Sequence, residues 1–237
     1  MKPLPAEYFV NYGTNAEMRW SSVYDQGYLT SNDRFFVRDH TRTPIIDPAM
    51  YELKVYGDGL AAARTVDTAF TFSYRDLQHM PKRCVTSFIE CTGNGRSFFA
   101  TQQGAPATGT QWTLGAIGVA TWRGVPLRHL LHRVGLRRDA VDVMATGLDD
   151  AYVSGGVDYG RVRRPIPVRK ALDDVLLVLE MNGEPLPPDS GFPARLLVPG
   201  WVGIASIKWL GELQVSRTAL TSPWNTKWYR MTGGDYP

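Results

Sequence analysis

The chain contains two cysteines, Cys84 and Cys91, and the second stands where it can do chemistry. The stretch Phe88–Phe99 reads FIECTGNGRSFF: a short apolar run, a cysteine, a Thr-Gly-Asn-Gly turn and then Arg96. That order predicts a thiol at the end of a strand, beside a glycine-rich turn whose backbone amides can face an anion. Neither cysteine belongs to a C-x-x-C pair, so zinc and thioredoxin-type chemistry have little support. A separation of seven puts the two thiols on opposite faces of one strand, which argues against a disulfide between them. The four histidines (His40, His79, His129 and His132) show no metal-ligand spacing, and His129 and His132 fit the wet side of a helix.

A second cluster is RFFVRDH at 34–40. Phe35, Phe36 and Val37 predict a short buried strand, and strand alternation places Phe36, Arg38 and His40 on one face. An arginine and a histidine beside a buried aromatic suggest an anion pocket, and a surface strand with a half-buried arginine reads equally well. A third cluster is Arg161, Arg163, Arg164, Arg169 and Lys170. Charge runs usually face water, so a solvated basic loop and an anion or partner site are both open readings.

The surrounding chain must position these groups. Its length of 237 residues suffices for one large domain or two small ones, and 43% hydrophobic with 21% charged residues is ordinary for a globular protein. A net charge of +3 is too weak for a nucleic-acid platform. No apolar run approaches the roughly 20 residues that span a bilayer. The N-terminus, MKPLPAEYFVNYG, shows no signal peptide. The compartment is therefore open: periplasmic if an upstream signal has been removed, cytoplasmic otherwise.

Residues 1–33 read as an extended arm packed on the body, and 34–237 as the main domain. Strands are expected at Tyr51–Tyr56, Lys82–Glu90, Ala140–Gly147, Leu176–Met181, within 192–201 and within 204–215, and 112–127 alternates small and apolar residues. Ser73 is an N-cap candidate for a short helix stopped by Pro81, and Arg96–Thr101 begins another. Leu127, Leu130, Leu131 and Val134 repeat with helical spacing before Gly135, and 168–175 predicts a helical turn. Asn182-Gly183 is a turn. Residues 147–165 read as a long loop and 221–237 as an irregular aromatic tail, while Gly115, Ala116 and Gly118 predict close approach of a backbone to another group. Strands and helices mix without βαβ regularity, which predicts an α+β fold of mixed or antiparallel sheets with short helices. No G-x-G-x-x-G, P-loop or G-x-S-x-G pattern occurs in the context its chemistry needs.

Several of these stretches, NDRFFVRDH, ECTGNGRS, WTLGAIG, TWRGVPL, EMNGEPLPPDSGFPARLLVPGW and IKWL, follow one another as they do in the sulfite oxidase family of molybdenum enzymes. The chain resembles the family's molybdopterin-binding catalytic domain over residues 15–230. The details NAEMRW, PGWVG and SPWNTK are most similar to bacterial sulfite dehydrogenases of the sulfane dehydrogenase type. The resemblance implies a molybdenum–molybdopterin cofactor with Cys91 as the protein thiolate on the metal. It implies that Phe36, Val37, Arg38, Asp39 and His40 form a cofactor-binding element, with Asp39 standing where the family has asparagine. It further implies cofactor contacts from Asp149, Arg195 and the segment Ser206, Ile207 and Lys208. Ser190 replaces a family histidine, which puts that contact in doubt. The implied substrate pocket is Arg38, Arg96, Trp112 and Tyr229, with Gly95 in place of a family arginine.

The implied activity is oxidation of sulfite, or a related small sulfur oxyanion, by oxygen-atom transfer. No C-x-x-C-H haem motif is present, so electrons would pass to an external acceptor such as a cytochrome c. Many members carry a β-sandwich dimerisation domain beginning where this sequence stops, at Pro237. The expectation is a catalytic domain without it, its oligomeric state undetermined. Two rival readings stand beside this one: a molybdopterin-dependent reductase of methionine sulfoxide or another S- or N-oxide, and a cofactor-free binding module.

Overall fold

A computed structural model describes residues 2–231. The N-terminal stretch contains a hairpin that pairs with the body through Ala16 and Val37. Strands β1 (Phe9–Tyr12) and β2 (Asn15–Met18) pair antiparallel, and all four β2 residues are buried. After an extended passage come β3 (Glu52–Tyr56), β4 (Phe70–Ser73), α1 (Tyr74–His79) and β5 (Arg83–Glu90). A 3-10 turn, Arg96–Phe98, leads into the short helix α2 (Phe99–Gln102), followed by β6 (Ile117–Pro126), α3 (Leu127–Arg133) and β7 (Asp142–Gly147). Next are β8 (Val153–Ser154), β9 (Val157–Asp158), β10 (Arg163–Pro167) and α4 (Val168–Asp173). The chain continues through β11 (Leu176–Met181), β12 (Glu184–Pro185), β13 (Arg195–Leu197), β14 (Leu210–Ser216) and α5 (Pro223–Thr226).

Two five-stranded sheets form the body. One has the order β10-β7-β14-β3-β4, and its β14–β3 pair is parallel while the others are antiparallel. The other is antiparallel, β12-β11-β6-β5, with β13 beside the first half of β11. The α+β class with mixed and antiparallel sheets is the observed one. β11 is buried on both faces, which explains its unbroken apolar run. Leu177 and Leu179 point into the main core with Leu53, Val143, Leu213 and the helix α3. Leu176 and Val178 point into a second core with Phe35, Phe36, Trp112 and Trp122. Leu127, Leu130 and Leu131 of α3 are fully buried, each contributing ~2 kcal/mol of apolar burial, while His129 and His132 face solvent.

Local chemistry sets the element ends. Ser73 accepts from the Asp76 amide at 3.1 Å while Asp76 reaches back to the Ser73 amide at 2.9 Å, a reciprocal cap that starts α1. Asn182 and Gly183 both adopt positive φ (54° and 84°), which matches the twist of the β11–β12 hairpin.

Three expectations are corrected. Residues 34–40 do not form a strand; only Val37 pairs, with Ala16 of β2. Phe35, Phe36 and Val37 are buried in succession, which a strand alternating between a buried and a wet face cannot accommodate. The stretch 147–165 is not a plain loop: β8 and β9 form a small hairpin around Gly155-Gly156, and β10 starts at Arg163. Their side chains are exposed, so no burial pattern announced them. The tail contains α5, begun by Ser222 and Pro223, and residues 232–237 lie outside the described residues. The small residues of 115–118 admit the chain itself. A Cβ on Gly115 would lie 1.9 Å from the Met18 carbonyl oxygen, and one on Gly118 would lie 2.5 Å from the Phe35 ring.

Candidate active site

Cys91 follows the last residue of β5, which is a long strand zipped to β6 over eight residue pairs. Its amide bonds the Ala116 carbonyl at 2.9 Å, and its carbonyl accepts from the Asn94 amide at 2.9 Å to close the turn. Gly95 ends that turn at φ 81°, a conformation that favours glycine. The thiol is buried and free of any disulfide, whereas Cys84 is exposed on the strand's other face, as their separation predicts.

Cys91 lines a cleft between the two sheets' loops. Phe36, Arg38, Asp39 and His40 form one wall. Asp149, Ser190 and Arg195 contribute from the chain after β7 and from the β12–β13 connection and β13. Ser206, Ile207 and Lys208 enter just before β14, and Tyr229 closes the other side. Three residues expected here do not line the cleft. Val37 is buried against the N-terminal hairpin. Trp112 is fully buried in the second core, packed edge-on to Tyr12 at 5.5 Å, which makes it a core residue and not a pocket wall. Arg96 lies at the edge, donating to the Thr110 carbonyl at 3.0 Å between Gly93 and Gly109.

The polar centre of the wall is His40. Its Nε2 lies 3.2 Å from the Trp224 indole nitrogen, 3.0 Å from an Arg38 guanidinium nitrogen and 3.2 Å from the Tyr229 hydroxyl. Indole and guanidinium can only donate, so Nε2 is the acceptor and the ring is neutral, its proton on Nδ1. Burial pushes the His40 pKa well below its usual value, and the charges of Arg38 and Lys208 act in the same direction. The Tyr229 hydroxyl, raised in pKa by burial, accepts from Arg38 at 3.2 Å and keeps its own proton.

Deeper in the cleft, Lys208 pairs with buried Asp39 and donates to the Asp189 carbonyl at 2.8 Å. Burial still lowers its pKa, against the pull of Asp39. Arg195 is 5% exposed and bonds the carbonyls of Ser190 (2.8 Å) and Ser206 (3.0 Å). Among the described residues it has no carboxylate partner, and burial lowers its pKa to about 10. Oδ1 of Asp149 and Oδ1 of Asp189 are buried without a hydrogen-bond partner, and burial raises the Asp149 pKa to about 6. Buried polar groups left in this state call for a ligand or solvent to complete them.

The family description "oxidoreductase molybdopterin binding domain" matches residues 40–224. The chain belongs to this molybdopterin-binding oxidoreductase family. It is 37% identical over 210 residues to the mitochondrial sulfite oxidase of Rattus norvegicus, covering 86% of this chain and 36% of that one. It is 30% identical over 207 residues to an NADH nitrate reductase of Ulva prolifera, covering 85% and 23%. Among solved structures it matches the sulfane dehydrogenase SoxCD of Paracoccus pantotrophus with a TM-score of 0.75 at 27% identity, covering 96% of this chain and 54% of that one. The molybdopterin domain thus spans about a third of the length of the sulfite oxidases it matches.

The cleft's chemistry fits the family's cofactor. Molybdopterin carries ring N–H donors and a phosphate; the cleft offers two unpartnered buried carboxylate oxygens and one buried guanidinium without counter-charge. Among the described residues no three His, Cys, Asp or Glu side chains cluster as metal ligands. No helix among the described residues is long and apolar enough to cross a membrane.

Two contributors were missed by sequence reasoning: Asp189, within the stretch PPDSGFPAR, and Trp224, within SPWNTK. Both lie in stretches that carried the family resemblance, yet no local periodicity or spacing singles them out. The basic cluster 161–170 is largely engaged within the chain rather than freely solvated. Arg161 pairs with Glu212, Arg164 bonds the Trp224 carbonyl, and Lys170 bonds Asp174 at 2.6 Å and the Pro199 carbonyl at 2.8 Å, leaving Arg169 exposed.

Proposed function

We propose that this domain oxidises sulfite or a related small sulfur oxyanion by oxygen-atom transfer, and passes the electrons to an external acceptor such as a c-type cytochrome. The observation that carries this reading is the Arg38–His40–Tyr229 constellation in the same cleft as the Cys91 thiol. The names of the sulfite oxidase and sulfane dehydrogenase relatives support it.

The bound cofactor supplies the two-electron oxygen-atom transfer and the return of electrons in single steps. Cys91 would hold the metal through its thiolate. Arg195 would take the pterin phosphate with a forked, permanently charged donor, and Lys208 would add charge beside it. Asp149 and Asp189 would accept from the pterin ring. At the substrate end, Arg38 contributes a cation and Tyr229 a phenolic proton. Both are already oriented, so little reorganisation accompanies anion binding. The neutral His40 ring fixes these two donors without adding charge of its own. The half-enclosed cleft excludes bulk water and strengthens each of these contacts.

The deciding experiment uses protein made in a host that supplies the cofactor. Molybdenum bound to the chain, and sulfite-dependent reduction of cytochrome c, are expected. Cys91→Ser should remove the thiolate-to-metal absorption and lower turnover by about two orders of magnitude or more. Metal- and pterin-free protein from such a host would end the cofactor reading. Turnover only with methionine sulfoxide and a dye donor would end the sulfite reading.

A further inference from the structure

Glu17 is fully buried in β2, and among the described residues no cation pairs with it. Removing a carboxylate from water costs several kcal/mol unless hydrogen bonds replace its hydration. Four donors do so here. Oε1 accepts from the Tyr12 hydroxyl at 2.9 Å and the Thr113 hydroxyl at 2.8 Å. Oε2 accepts from the backbone amides of Thr113 at 2.8 Å and Gly115 at 3.3 Å. An apolar side chain here would leave these donors buried and unpaired, so the carboxylate serves to hold the segment that carries them.

The need for that hold lies one layer further in. The segment 112–116, which Glu17 grips by its backbone, is the template on which the Cys91 turn is built. The Cys91 amide donates to the Ala116 carbonyl at 2.9 Å, Gly95 donates to Thr113, and Ser97 donates to Trp112 at 3.0 Å. The Ala116 amide donates in return to the Asn94 side chain at 3.1 Å. Four bonds thus tie the turn to a segment held by the Glu17 carboxylate and by the Met18 amide, which donates to the Gly115 carbonyl at 3.0 Å. The same strand also holds the opposite wall of the cleft: Ala16 pairs with Val37, and the Asn15 side chain accepts from the Asp39 amide at 2.9 Å. The hairpin lies before residue 40, where the family match begins.

We propose that Glu17 is a positioning residue for Cys91: it sets the backbone on which the thiol-bearing turn is registered against the Arg38–His40 wall. This rests on reading Cys91 as the functional thiol, but its test reads Cys91 directly in cofactor-free protein.

In a Cys84→Ser background Cys91 is the only thiol, and its rate of alkylation by iodoacetamide reports the turn. Glu17→Asp keeps the charge but withdraws the carboxylate by about 1.5 Å, out of reach of the two backbone amides. It should remain cooperatively folded by thermal melt and raise the alkylation rate at least about threefold. Glu17→Gln should restore a rate within about twofold of the parent. Its amide oxygen can serve the two backbone donors, and its NH₂ can face the two hydroxyls, which are able to reverse and accept. A folded Glu17→Asp protein with the parent's rate overturns the proposal. So does a Glu17→Gln rate raised as far as that of Glu17→Asp, which would make charge and not backbone anchoring the relevant property. If Glu17→Asp does not fold, native-state hydrogen exchange of the unsubstituted chain decides. The amides of Cys91, Gly95, Thr113 and Gly115 should open as one unit, and independent, faster exchange at Cys91 and Gly95 would overturn the proposal. Failure to load molybdenum leaves these outcomes readable, so the two hypotheses fail separately.

Discussion

Substitution of Asp149 by Asn should stabilise the cofactor-free protein, and only above the acid range. Asp149 is 2% exposed, and its Oδ1 has no partner. Desolvation raises its pKa to about 6, with a backbone hydrogen bond, Lys208 and Arg161 only partly opposing the shift. In the unfolded chain an aspartate titrates near ~3.9. A carboxyl with a raised folded-state pKa binds more protons when folded than when unfolded between those values. Stability is therefore lost as pH rises from about 4 to 6. A displacement of about 2 units at 1.36 kcal/mol each puts the penalty at ~3 kcal/mol, complete by about pH 7. For a chain of this size that equals roughly 6–12 °C in Tm. Thermal melts of both proteins from pH 4 to 8 should therefore coincide at the acid end and diverge towards neutrality, with Asp149→Asn the higher. A constant gap across the range would show that packing, not ionisation, separates them. A neutral-pH wild type as stable as the variant would refute the buried, unsatisfied state of this carboxylate.

Three further outcomes follow from the site's charges and its core. Asp39→Asn leaves the Lys208 ammonium in the cleft without its counter-charge, and urea unfolding at pH 7 should show a loss of about 3 kcal/mol in cofactor-free protein. Trp112→Phe should cost about 1–2 kcal/mol of stability while leaving the KM for sulfite unchanged. Arg38→Gln should raise KM with little change in Tm, and steady-state kinetics beside thermal melts separate the two cases.

Much of the fold was legible because local chemistry and tertiary packing agree. The helix of Leu127, Leu130 and Leu131, the Ser73 cap and the Asn182-Gly183 turn each state their conformation within a few residues. The thiol at the end of β5 was legible for the same reason. Trp112 was misplaced because a tryptophan beside a functional loop reads alike whether it faces the ligand or the interior. Only its contact with Tyr12, a hundred residues away in the chain, decides. The N-terminal hairpin was missed because its two strands are only four residues long, too short for a periodicity to stand out, even though Asn15, Ala16, Glu17 and Met18 alternate in type. The unpartnered oxygens of Asp149 and Asp189 have no sequence signature at all, since their state depends on what fails to approach them.

The place of β14 has a consequence for the order of events during synthesis. This last strand lies between β7 and β3, parallel to the latter, so the central sheet has a gap until residue 216 has been made. The cleft needs still more of the chain, because its donors run from Arg38 to Tyr229. A nascent polypeptide carrying His40, Cys91 and Asp149 has the first wall of the site but neither the lysine before β14 nor the closing phenol. Such non-local closure is slow compared with helix formation. Cofactor insertion therefore has to wait until the chain has been made and docked as far as Tyr229.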